Sequence, residues 1–136
     1  MKKLTILFLA FLLSNQLIAQ DSKTATKLKD LNEKKEYAKT IKYKQGKESA
    51  FDSKALYYKA MAYYWTTDHK NALKFFDLAI STKPVNAEMY YYRGMNQFIT
   101  GENEKAITDF DDAILLDDKK PDYYSAKGDA LYELKS

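Results

Sequence analysis

An all-α fold of stacked helix–turn–helix units is predicted by three observations. The chain superimposes on itself when shifted by 34 residues, its apolar residues recur at the spacing of one helical face, and turn and cap residues fall between the segments so defined. Ala60, Gly94 and Gly128 are in register, as are Tyr64, Phe98 and Tyr132. Tyr57, Tyr58 and Met61 map onto Tyr91, Tyr92 and Met95, and Ala72, Phe76 and Ala79 onto Ala106, Phe110 and Ala113.

Residues 1–20, MKKLTILFLAFLLSNQLIAQ, have a basic head, an apolar run from Leu4 to Leu13 and a small residue, Ala19, before a polar stretch. That layout is a secretory signal peptide. The apolar run is short for a bilayer span, so an uncleaved anchor is the weaker alternative, and no cysteine follows it to carry a lipid. Export to the periplasm or the medium is expected, with no stable membrane insertion after cleavage. The leader carries two lysines and no acid, so without it the net charge falls from +3 to +1. No clustered basic face remains to bind nucleic acid. With no cysteine, the chain has neither disulfides nor thiolate ligands nor a cysteine nucleophile, and it must hold itself together by packing.

Residues 21–52 are rich in lysine and weakly periodic, with Leu28, Leu31, Tyr37 and Ile41 as apolar points. They read either as a charged linker or as a degenerate repeat. In residues 53–86, SKALYYKAMAYYWT and NALKFFDLAIST form two helices around the turn TDH, which holds His69, and Pro84 closes the second. In residues 87–120, Asn86 caps AEMYYYRGMNQFIT, Gly101 relieves the turn GEN, and EKAITDFDDAILL follows. Ala106, Ile107, Phe110, Ala113 and Ile114 make the buried stripe of that last helix, which assigns Asp109, Asp111 and Asp112 to its wet side. Residues 121–136 open with Pro121 at a first helical turn. They form either a partial repeat of a longer array or a capping helix, with Tyr124, Ala126, Gly128 and Leu131 turned inward and Lys127, Glu133 and Lys135 in water.

A 34-residue helix–turn–helix unit with a small residue in its first helix and Ala, aromatic, Ala in its second resembles the tetratricopeptide repeat family. The resemblance covers residues 53–136. Leu56 and Tyr90 stand where that family usually has Trp, Ala60 replaces Gly, and Asp118 replaces the closing Pro. It implies an α-solenoid, a short right-handed superhelix whose first helices line a concave groove for a protein or peptide partner. The implied lining is Lys54, Tyr57, Met61, Tyr64 and Trp65, then Glu88, Tyr91, Met95, Phe98 and Ile99, then Asp122, Ser125, Asp129 and Tyr132. Of these, Lys54, Tyr57, Met61, Trp65, Glu88, Tyr91, Met95, Ile99 and Asp129 are the candidate partner-binding residues, while Tyr64, Phe98 and Tyr132 also suit packing between repeats. Family members that bind chaperones grip a terminal carboxylate with Lys, Asn and Arg. Tyr57, Met61, Tyr92, Asp122 and Ala126 stand at those places here, so that clamp is absent.

Nothing in the sequence assembles a catalytic constellation, a metal site or a cofactor site. His69, the single histidine, has no nucleophile spaced to it, and the glycines recur with the repeat without forming a phosphate loop. The expected function is a non-enzymatic interaction module or scaffold of the bacterial envelope. The alternative is a glycan-binding module that stacks sugar rings on Tyr57, Tyr91 and Trp65, although sugar sites also need several polar groups aimed at hydroxyls.

Overall fold

The computed structural model describes residues 23–135. The expected leader lies outside the described residues, and among the described residues every regular element is helical. Helix α1 spans residues 23–33, and α2 is Tyr37–Lys42, followed by a 3-10 turn, Glu48–Ala50. Two hairpins follow, α3 (Ser53–Trp65) with α4 (His69–Thr82) and α5 (Ala87–Ile99) with α6 (Asn103–Leu116), and α7 (Pro121–Lys135) ends the array. From α2 onward each helix packs on the next, and α3 touches α5 and α5 touches α7, so the first helices of successive units stand side by side.

Local chemistry fixes these boundaries. Asp52, Asp68 and Asn86 accept a hydrogen bond from the backbone N–H three residues on, at 2.7, 3.2 and 3.1 Å, and so cap α3, α4 and α5. The Asp68 cap starts α4 at His69, which therefore belongs to the first turn of a helix and not to the connecting turn. Thr67 and Gly101, 34 residues apart, both take positive φ, +61° and +82°, in the turns that reverse the two hairpins. Gly94 permits a close approach of α5 to α6, because a Cβ there would lie 2.8 Å from the Phe110 ring.

The core forms in segments along the array. The largest cluster joins Leu28 and Leu31 of α1 to Phe51, Leu56, Ala60, Phe76 and Met89, so residues 23–33 share the packing of the first hairpin. A second gathers Ala106, Phe110, Ala126 and Ala130, and a third Ala87, Ala113 and Tyr123.

Two further sequence expectations are corrected. Asp109 is not on the wet side of α6: it is 3% exposed and forms a two-pronged ion pair with Arg93, from Nε at 2.8 Å and Nη2 at 2.7 Å. Periodicity counts apolar positions only, and Arg93 supplies the charge that lets a carboxylate occupy the buried face. The phase of α7 also differs. Tyr123, Ala126 and Ala130 are buried, while Tyr124, Gly128 and Leu131 face outward. The repeat register carries the reason, since Ala55, Met89 and Tyr123 are equivalent, as are Ala62, Asn96 and Ala130, and all six are buried.

Candidate functional site

Where α1, α2, α3 and α5 converge, a cleft of about 290 Å3 opens. From the expected lining it takes Tyr57, Met61, Trp65 and Glu88. Trp65 is 53% exposed on the rim, whereas Tyr57 and Met61, 7% and 8% exposed, offer only an edge, because both also pack in the main core. The other wall was not expected: Lys29, Asn32 and Glu33 of α1 and Tyr37 of α2, which face Tyr58 of α3. Asn32 pins this wall, donating to the Tyr58 carbonyl at 2.6 Å and accepting from the Thr40 hydroxyl at 2.8 Å. The sequence signal was the spacing of Ala25, Leu28 and Leu31, which marks a helical face able to dock on α3.

The remaining candidates lie outside this cleft. Lys54 lines a separate hollow with Asp52, Ser53 and Pro84 at the start of α3. Tyr91 is half-buried between the rings of Tyr92, Phe110 and Tyr123, and Met95 packs against the Phe110 cluster. Ile99 and Asp129 are exposed on α5 and α7.

A band of tyrosine rings links the first helices across the molecule. Tyr57 lies 6.4 Å from Tyr92, Tyr92 lies 5.1 Å from Tyr91, and Tyr91 lies 4.9 Å from Tyr123, centroid to centroid. Tyr64 joins from the side, 5.8 Å from Tyr92. Burial raises the hydroxyl pKa of each of these rings, that of Tyr123 to about 12, and nearby carboxylates add to the effect at all but Tyr64. Glu88 acts on Tyr57, Tyr58, Tyr92 and Tyr123, and Asp122 on Tyr91 and Tyr92. The band is thus apolar in its ring faces and negative along its edge.

No group of acids and histidines that could hold a metal is present among the described residues, and none of their helices is long and apolar enough to cross a membrane. His69 bonds to Asn96, ring Nδ1 to side-chain oxygen at 2.9 Å, while the Asn96 amide donates to the His69 carbonyl at 3.0 Å. That reciprocal pair ties α4 to α5, a packing role.

Helix pairs stacked in this order define an α-solenoid of the tetratricopeptide repeat type. Among solved structures, the second TPR domain of the human RPAP3 protein, determined in complex with the HSP70 peptide SGPTIEEVD, is similar, with a TM-score of 0.74. The match covers 84% of this chain and 97% of that one at 17% sequence identity, and at that identity it establishes the fold. No family model matches the sequence, and no curated protein does.

Proposed function

We propose that the chain is a non-enzymatic interaction module that holds a segment of a protein partner against its first helices, and that it acts as an exported scaffold in the bacterial envelope. The observation that carries this reading is the cleft between α1, α2 and α3. It combines a half-exposed Trp65, the Tyr37 and Tyr58 rings and the edge of Met61 with the polar side chains of Lys29, Asn32, Glu33 and Glu88 at its margin. Aromatic and methionine side chains of this kind supply adaptable apolar contact, and the peptide complex of the similar human domain supports a peptide as occupant. Export rests on residues 2–19, and intact mass of the protein from its host is expected to show loss of about the first twenty residues.

A photo-crosslinking residue placed at Tyr37, on the cleft rim, is expected to trap a partner in the native envelope fraction. The same residue placed at Leu78, on the outer side of α4, is expected to trap none. Equal trapping at both positions would remove the cleft from consideration. The glycan reading draws on the same Trp65 face, and quenching of Trp65 fluorescence by soluble peptidoglycan fragments, without peptide binding, would favour it.

A further inference from the structure

The partner's charge can be argued from the groove itself. Glu88 opens α5 and Asp122 opens α7, 34 residues apart, so they occupy the same place on neighbouring first helices, whereas Lys54, at that place on α3, lines the separate hollow beside Asp52. Neither forms an ion pair among the described residues. Both act on the tyrosine band: the ring of Tyr92 feels the two together, and Tyr57 and Tyr91 one each. Asp129 extends the negative edge along α7. On the opposite wall of the cleft Glu33 offsets Lys29, 3.6 Å away, so that pair adds no net charge.

We infer that the groove takes an extended segment carrying basic side chains between apolar ones. The inference rests on the groove being the binding site. Apolar residues of the segment lie on Trp65 and the tyrosine faces, and its lysines or arginines reach Glu88 and Asp122. Aromatic faces also attract cations, which favours the same side chains. Neighbouring packed helices stand roughly 8–10 Å apart, and an extended chain advances about 3.3 Å per residue. Basic residues two or three positions apart therefore reach both carboxylates. An acidic segment, of the kind the similar human domain holds, meets repulsion here instead.

Trp65 is the only tryptophan and sits on the cleft rim, so its fluorescence reports occupancy. The probes are three blocked peptides, Ser-Leu-Lys-Phe-Leu-Lys-Ser and its counterparts with Gln or Glu in place of both Lys, titrated into the full chain. The Lys peptide is expected to bind about tenfold more tightly than the Gln peptide, as two charge pairs of ordinary strength imply, and the Glu peptide more weakly still. In the Glu88→Gln, Asp122→Asn double variant the Lys peptide is expected to lose about tenfold, with the Gln peptide unchanged. If all three peptides bind alike, or the Glu peptide binds best, the charge inference fails while the groove stands. If none of them moves Trp65, the groove reading fails and the inference with it.

Discussion

Three equivalent positions, Ala60, Gly94 and Gly128, show how much one residue's meaning depends on what faces it. At Gly94 an added methyl meets the Phe110 ring and the Asp109 Cβ, at 2.8 and 3.1 Å, while at Gly128 it meets nothing within 4 Å. Gly94→Ala is expected to destabilise by about 1–3 kcal/mol through overpacking. Gly128→Ala is expected to stabilise by roughly 0.5–1 kcal/mol by removing a helix glycine. Paired denaturant melts check both, and effects of the same sign would refute the packing. Lys59 makes the second residue-level case. It is wholly buried, bonds to Glu48 and to the Tyr43 carbonyl, and lies over the rings of Phe51 and Phe75. Glu48→Ala strands that charge and is expected to cost about 3 kcal/mol, near the low end for a broken buried pair because the carbonyl and rings remain. Lys59→Met removes the charge with its shape kept and is expected to stay within about 1 kcal/mol. Burial pushes the Glu48 carboxyl upward, but the Lys59 hydrogen bond and charge, together with backbone N–H groups, outweigh it and hold the group below the usual glutamate value. A depressed folded-state pKa contributes stability above the unfolded value, about 4.3, that is lost as the pH falls through the folded one. The gap between wild type and Glu48→Ala should therefore narrow below about pH 4.3; a gap constant down to pH ~3 would show that the carboxylate charge is not what holds Lys59.

Between elements, one device recurs at the repeat spacing. Lys59, Arg93 and Lys127 are equivalent positions on α3, α5 and α7, and each reaches back sixteen residues to the preceding unit. Lys59 meets the Tyr43 carbonyl at 3.3 Å, Arg93 the Asp77 carboxylate at 2.9 Å, and Lys127 the Asp111 carboxylate at 2.6 Å. Only Arg93 also pairs within its own hairpin, with buried Asp109, and that contact dominates. Asp109 sits above the ordinary aspartate range because burial outweighs Arg93. Arg93→Ala leaves that carboxyl unpaired, and a loss of about 3 kcal/mol is expected. Asp77→Ala, at a side chain 57% exposed, is expected to cost under about 1 kcal/mol. Comparable losses in thermal melts would mean that the exposed arm does the holding. The apolar half of this design is legible in the sequence: Ala72, Phe76, Ala79, Ala106, Phe110 and Ala113 are all buried where the 34-residue register puts them. The polar half is not, because a buried Asp109 looks like a solvated one until its partner is found across a helix pair. Its clue was the chain's single arginine, set in an aromatic helix at the position of Lys59. The far wall of the cleft was hidden for another reason: Asn32 and Tyr37 belong to a segment whose lysines dilute its periodicity, and tertiary docking on α3 orders it.

Across the whole molecule the core is divided, and the division predicts how the chain unfolds. The cluster running from Ala25 to Met89 draws on four helices, whereas those around Phe110 and Tyr123 are smaller and depend on α7 for Ala126, Ala130 and Tyr123. In a stacked array stability is approximately a sum of unit and nearest-neighbour terms, so the α6–α7 end should open before α3 and α4. Amide exchange is expected to run fastest in α7, then α6, and slowest in α3 and α4. Truncation after Lys120 removes the cover from Phe110 and Ile107, and a loss of at least about 3 kcal/mol is expected at that end, on the scale of vacating the space beside a buried aromatic. The apolar face so exposed favours aggregation, which size exclusion reads directly. Trp65 lies at the other end, at the close of α3, so its fluorescence reports the first cluster alone, while far-ultraviolet dichroism reports all helices. In a urea titration of the full chain the dichroism midpoint should therefore fall at lower denaturant than the Trp65 midpoint, and truncation should move the Trp65 curve little. Coincident transitions in the full chain, shifted together by truncation, would show that the band Tyr57–Tyr92–Tyr91–Tyr123 couples the two ends into a single cooperative unit.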